Sequence, residues 1–452
     1  MVLVPSYIKI DRIVEKHIDG VKVDTQATHI IPYKDWESKQ KSSKVYEVPI
    51  EYCKYRLENG RIKTEIITHE KLKGKLDPND QDTQDIISNY LSKSDSSKNE
   101  ALKKILKKEG QKEAAVMTAD GFLINGNRRK WAIEQLHKET PDQKYKTMKV
   151  VILPGTSKAE RPTVMDVALL ENRFQVHDTG KAEYSIMNKA LTYYVNVKSG
   201  IRIEELLKED ATFGDPQSKE FKSKVAKFKE DHFKPLELID DYLKINKIKG
   251  DYQRVADRWM SFQELSQKII SPLSKERTLV QYNIQKNDVG AIKNAGFNLI
   301  KLKDIRGVAP RNTDLIREIF RWTKVDKKEV LKIGNVDDVD ESIKDPDERD
   351  EEWQKNKSEK IIKSIKKLKN LTSRQKDQED PLNRLAEALQ KLQHEDLDVN
   401  QLETMKTRDI PKAFGYCSEI EKINNDLKSF FYNLQKNNKE NIKKLKGKFK
   451  KK

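Results

Sequence analysis

Apolar positions come in two periods along this chain. Short alternating runs at Tyr7-Ile8-Lys9-Ile10 and Val21-Lys22-Val23 flank Asp19-Gly20 and predict a hairpin or small meander. Glu37–Lys44 is polar and reads as a loop. Val45–Tyr52 alternates as a strand, and Pro49 places that strand at a sheet edge. From Asp82 to Lys108 the period becomes helical. Ile86, Ile87, Tyr90 and Leu91 form one stripe, and Ser97-Lys98-Asn99-Glu100 has the form of a capping box. It opens a second helix with Leu102, Ile105 and Leu106, which Gly110 ends. Ala115–Thr118 and Phe122–Ile124 are short apolar runs joined at Asp120-Gly121, a strong hairpin dipeptide. Asn125-Gly126-Asn127 then breaks the pattern. A helix follows to about His137 with Trp131, Ile133 and Leu136 on its buried stripe. Met148–Leu153 is a further strand, ending at Pro154-Gly155.

Beyond it the helical period dominates. Thr163–Phe174 turns Val164, Val167, Leu170 and Phe174 inward; His177-Asp178-Thr179-Gly180 is a loop; the next helix runs from Glu183 through Tyr194. Ile203–Leu207 and Phe221–Phe228 are short helices around Gly214-Asp215-Pro216. Aromatic residues from Tyr242 to Phe262 fall at helical spacing and read as core. Asp337 to Glu352 is acidic, with Pro346 and few apolar residues, and reads as a linker or an acidic arm. Leu382, Leu385, Leu389 and Leu392, and then Ile420, Ile423, Leu427, Phe430 and Leu434, repeat at coiled-coil spacing, which predicts a helical hairpin or a dimerising element. The expected fold class is an α+β N-terminal domain followed by mostly α-helical domains. The divisions are an N-terminal strand or hairpin extension (1–44), the α+β domain (45–180), a helical domain (181–335), an acidic linker (336–360) and a helical region with a basic tail (361–452).

The Ala115–Ala132 stretch carries the candidate chemistry. Arg128 and Arg129 stand in the first turn of a helix that leaves a glycine turn. Unpaired N–H groups and the positive end of the helix dipole lie there, so two cations are unfavourable unless an anion joins them. With an anion, the N–H groups and two guanidinium forks make a phosphate site. The alternative is that the arginines are solvated or paired with local acids, and that Gly126 only makes a turn.

The same stretch resembles the ParB/sulfiredoxin-like superfamily, whose ParB members carry a G-E-R-R box reached through an apolar strand. Gly126, Arg128, Arg129 and Ala132 match the box, and Asn127 stands in place of its glutamate. A second box led by Glu-Asn follows in the family; here it is Glu171-Asn172-Arg173-Phe174-Gln175, with Gln175 where an arginine usually closes it. The resemblance covers roughly residues 45 to 240. It implies a nucleotide-binding domain in which Gly126, Asn127, Arg128 and Arg129 hold phosphates. It implies that Asn172, and Glu171 beside it, hold a nucleotide-bound Mg²⁺. The nucleotide would be CTP, or another NTP, and its binding would close a dimer around DNA. Asn127 removes a carboxylate from that site, which puts hydrolysis in doubt more than binding. Arg61, in the turn Glu58-Asn59-Gly60-Arg61, stays unassigned.

Composition narrows the partners. The 452 residues carry a net charge of +17, which favours a polyanion; abundant Asp and Glu beside the Lys keep a general Lys-rich bias in play. Lys222, Lys224 and Lys227 make the Phe221–Phe228 segment basic, as a DNA-contacting helix or a solvated face. The tail containing Lys443 and Lys444 suits phosphate contact without sequence reading. Only Cys53 and Cys417 are present, so neither a disulfide framework nor a zinc cluster is legible. No run reaches the ~20 apolar residues of a membrane helix, and a cytoplasmic protein is expected, nucleoid-associated if it binds DNA.

Three readings follow. One is a ParB-like, nucleotide-dependent DNA-binding homodimer, with Mg²⁺-dependent NTP hydrolysis left open. The second is a nuclease or phosphotransferase on the same fold, whose carboxylate would be Glu171 or Asp120; the hairpin turn already explains Asp120. The sulfur-repair chemistry of the superfamily is rejected, because Cys53 lies far from the arginine box. The third is a degenerate scaffold that binds a protein partner.

Overall fold

The computed structural model describes residues 23–31, 42–153, 162–176, 184–208, 210–336, 339–340, 342–393 and 402–449. The hairpin expected around Asp19-Gly20, the loop holding His177 and Asp178, and the last three lysines lie outside these residues. The chain divides into two compact units, Met1–Asn370 and Leu371–Lys452.

The first unit opens with a five-stranded mixed sheet. Its strands are β1 (Val23–Ile30), β2 (Ser42–Pro49), β3 (Ala115–Met117), β4 (Leu123–Asn125) and β5 (Thr147–Ile152), in spatial order β1-β2-β5-β3-β4. Only the β3–β5 pair is parallel. The sheet corrects two expectations. Ser42–Lys44 belongs to a strand, not to a loop. The Pro49 strand is also internal, flanked by β1 and β5. Pro49 is tolerated because it is the last residue of β2, so its missing N–H interrupts no central ladder bond.

Alternation along the strands feeds two cores. Ala115, Met117, Leu123, Met148 and Val150 face one side. They meet Ile66 of α1 (Lys63–Lys73), Ile87 and Leu91 of α2 (Gln81–Ser94), Leu106 of α3 (Ser96–Glu109), and Trp131, Ile133 and Leu136 of α4 (Asn127–Glu139). Val116, Ile124 and Val151 face the other side and meet Val167 and Leu170 of α5 (Val164–Val176). The start of α3 is set two residues earlier than the capping-box pattern implies. Asp95 is the N-cap and accepts from the Lys98 N–H at 3.3 Å. Asn99 is buried instead, donating to the Leu91 and Ser92 carbonyls at 2.8 and 3.2 Å.

The remainder of the first unit is helical. It starts with α6 (Ile186–Lys198), α7 (Ile203–Leu207), α8 (Lys219–Phe228) and α9 (Lys234–Ile245). Phe221, Val225 and Phe228 of α8 pack on Ile203, Leu206 and Leu207 of α7. A π-helical turn, Lys229–Phe233, joins α8 to α9 just before Pro235. Pro235 has no N–H for the Asp231 carbonyl four residues back, and the Gln263 side chain donates to that carbonyl at 3.5 Å. Of the aromatic residues read as core, Tyr242, Trp259 and Phe262 are buried in one cluster, which also takes in Phe297 and Trp322, and Tyr252 packs against it half-buried. The acidic stretch read as a linker also folds. Asp345 caps the helix Pro346–Asn356 through the N–H groups of Asp347 and Glu348, and Trp353 is buried in the same cluster.

In the second unit the helices Ile410–Gln435 and Lys439–Phe449 follow one another. Ile410–Gln435 has no buried residue, and Phe414, Tyr416, Ile420, Ile423, Phe431 and Leu434 are exposed. Among the described residues no helix is long and apolar enough to cross a membrane.

Candidate anion-binding site

A cleft of about 330 Å³ opens at the N-terminus of α4. Its position follows from the hairpin before it. The Gly121 N–H bonds the Thr118 carbonyl and the Thr118 N–H bonds the Phe122 carbonyl, so β3 returns as β4 within a tight turn. Gly126 then starts the helix in the left-handed region, with φ 95°. A Cβ there would lie 2.5 Å from the Ala115 Cβ and 3.3 Å from the Met148 Cε. Only glycine allows both the backbone angle and the approach to the sheet. The first turn of α4 is thereby set directly against β3, with its N-terminal N–H groups at the cleft.

The two adjacent arginines have different employment. Arg129 is buried, donating from Nη1 to the Glu113 carbonyl at 2.8 Å and from Nη2 to the Glu113 carboxylate at 3.1 Å. Burial lowers its pKa from the usual arginine value, and Glu113 opposes the shift. It ties the helix start to the chain entering β3. Arg128 donates from Nε to Asn99 Oδ1 at 2.6 Å, and its buried Nη2 has no partner. Burial, and then the guanidinium of Arg61, lower the Arg128 pKa. Two desolvated cations side by side are the electrostatic arrangement that an anion relieves.

Arg61 is the residue that sequence reasoning left out. It lines the cleft with Asn59 and Lys98. Its guanidinium lies 5.2 Å from the Tyr184 ring centroid, and it has no ion pair among the described residues. The turn that carries it is fixed from afar. Asn188 donates to the Arg61 carbonyl at 2.6 Å and accepts from the Thr64 N–H at 2.8 Å. Asn59 caps the turn through the Arg61 N–H at 3.0 Å, which leaves its buried Nδ2 without a partner. Gly60 leaves room for the Tyr184 ring, which a Cβ would meet at 2.2 Å. Lys98 is the most exposed of the cations and faces Asp95 at 3.6 Å. Ala101, Leu102 and Ile105 of α3 and Phe174 of α5 supply an apolar wall.

The remaining candidates lie around the cleft, engaged elsewhere. Asn127 is buried, donates to the Leu123 carbonyl at 3.3 Å and keeps an unpartnered Oδ1. Glu171 accepts from the Gly60 N–H at 3.3 Å and from the Tyr184 hydroxyl at 3.1 Å, and Arg56 stands 3.6 Å from its second oxygen. Asn172 accepts from the Tyr193 hydroxyl and donates to the Leu206 carbonyl, so its carboxamide is spent between α5, α6 and α7. Asp120 stays in the hairpin, accepting from the Thr118 hydroxyl, and burial raises its pKa. Neither Glu171 nor Asp120 lines the cleft. Cys53 is buried, and its thiol is pushed up to about 12 by burial, which keeps it protonated and unreactive.

The DNA candidates sit on exposed surfaces. Lys222 and Lys227 project from α8 into solvent, while Lys224 pairs with Glu220 at 2.7 Å and donates to the Thr212 carbonyl. Lys443 and Lys444 are exposed on the last helix.

Comparison with family models, with curated proteins and with solved structures finds no match to this chain. The resemblance to the ParB/sulfiredoxin-like superfamily therefore rests on its two boxes. The fold stands at the coarser level of an α+β region followed by a largely helical one.

Proposed function

We propose that this chain is a ParB-like, nucleotide-dependent nucleic-acid-binding protein that holds the phosphates of an NTP, CTP by resemblance, at the start of α4. The observation that carries the reading is the pair of buried, unpartnered donors, Arg128 Nη2 and Asn59 Nδ2, on residues lining a cleft with Arg61 and Lys98. Leaving such donors empty costs about 1–3 kcal/mol each, a penalty that an acceptor reaching them would offset. A polyphosphate supplies acceptors and charge together. The apolar wall of α3 and Phe174 offers a base or ribose a dry contact.

DNA is the polyanionic partner we assign to the lysine face of α8 and to the basic tail. The exposed apolar residues of the 410–435 helix support pairing with a second copy of the chain. The nuclease and phosphotransferase readings find less support, because the carboxylates they require are held away from the cleft by Arg56, Tyr184 and Thr118.

A thermal-shift titration with CTP, ATP, GTP and UTP tests the reading. A ligand at 100 times its dissociation constant should add roughly 2.7 kcal/mol to stability. The shift should vanish in Arg128→Ala. No shift with any of the four would send the search to DNA alone or to a protein partner.

A further inference from the structure

We propose that the cleft holds its anionic ligand with side-chain cations alone, with no divalent metal bridging ligand and protein. The proposal rests on the phosphate-binding reading above. The resemblance implies Mg²⁺, and the donor set can be tested against it. Mg²⁺ demands near-octahedral oxygen ligands and is usually bound through one or two carboxylates together with substrate phosphates.

The residues present do not fit that demand. One Glu171 oxygen is taken by the Gly60 N–H and the Tyr184 hydroxyl, and the other faces Arg56. Both ends of the Asn172 carboxamide are engaged by Tyr193 and Leu206. Glu113 lines the cleft with one carboxylate oxygen paired to Arg129, which leaves a single oxygen for any metal. Where the family has a glutamate, Asn127 offers a single neutral oxygen, Oδ1, which suits a ligand hydroxyl or amine. Among the described residues no three His, Cys, Asp or Glu side chains gather as a metal site.

What the cleft supplies instead is Arg61, Lys98 and Arg128. These three side chains neutralise phosphate charge by direct hydrogen bonding, the role a metal would otherwise fill. A divalent cation in the same space would be repelled by all three. Free Mg²⁺ should even compete, because it occupies the ligand oxygens that the guanidinium groups need.

The experiment is calorimetric titration of the full chain with inorganic tripolyphosphate and with CTP. Each is run once with a chelator and once with Mg²⁺ at matched ionic strength. The expected result is binding in chelator at least as tight as in Mg²⁺. In both buffers Arg61→Ala should weaken it on the order of tenfold or more, the scale of a hydrogen bond to a charged group. Arg61→Gln, which keeps side-chain bulk beside Tyr184, should weaken it similarly and guards against a folding defect. Binding that needs Mg²⁺ would overturn the inference and leave the phosphate reading standing. Absence of binding in both buffers would overturn both.

Discussion

The cleft at the start of α4 and the outer face of α8 are both basic, yet their cations are held differently. Arg128 is half-buried, fixed through Asn99 to the end of α2, and carries an unpartnered Nη2 next to the guanidinium of Arg61. On α8, Lys222 and Lys227 stand in water, and Lys224 already has Glu220. A solvated lysine costs little to leave alone, since water serves its charge. A buried donor without a partner is a standing penalty that a ligand removes. The number of positive charges therefore says less about a specific site than their burial and their unmet bonds. The α8 face suits a long polyanion bound by salt-sensitive, nonspecific contact; the cleft suits one compact anion.

The sharpest way to break this contrast is at Gly126. Gly126→Ala places a Cβ against Ala115 in a left-handed conformation. Strain of ~1–2 kcal/mol and overpacking of ~1–3 kcal/mol together predict a loss of about 2–5 kcal/mol in chemical denaturation. A change of one heavy atom on α8, Ser223→Ala, should stay within about 0.5 kcal/mol. Equal effects would mean that the helix start is not pressed on the sheet.

A smaller effect separates the neighbouring arginines. Arg129→Ala removes the bonds to Glu113 and should cost about 1–3 kcal/mol of stability while the cleft cations remain. Arg128→Ala should cost less stability and more ligand affinity. Denaturation midpoints and tripolyphosphate titrations of the two variants check both halves. If both variants lose stability and affinity in equal proportion, the division of labour is wrong.

The parts legible in the sequence were those set by local chemistry. Asp120-Gly121 specifies the hairpin, and Asn125-Gly126-Asn127 marks where α4 begins, which places Arg128 and Arg129 at a helix start on local chemistry alone. The helical spacing also named part of the later core, Tyr242 and Phe262 among it. What stayed hidden depends on contacts between distant segments. Arg61 reaches the cleft because Asn188 and Tyr184, far along the chain, hold its turn. The split between Arg128 and Arg129 depends on Glu113 and Asn99, which no pattern in the arginine box reveals. Asp95, Ser96 and Ser97 are three adjacent capping residues, so composition could not choose among them. The acidic stretch reads as a linker because its few buried residues, Val339 and Arg349, stand among charged ones, and the buried Trp353 comes only after it.

Matched charge removal separates the cleft from overall positive charge. One double variant, Arg61→Ala with Arg128→Ala, and another, Lys222→Ala with Lys227→Ala, each remove two positive charges. Titrating both with tripolyphosphate at ~0.15 M salt, where distant exposed charges are largely screened, isolates the cleft. The arginine pair should abolish measurable binding, and the lysine pair should leave it unchanged. Equal losses in the two variants would contradict this contrast and assign the binding to overall positive charge.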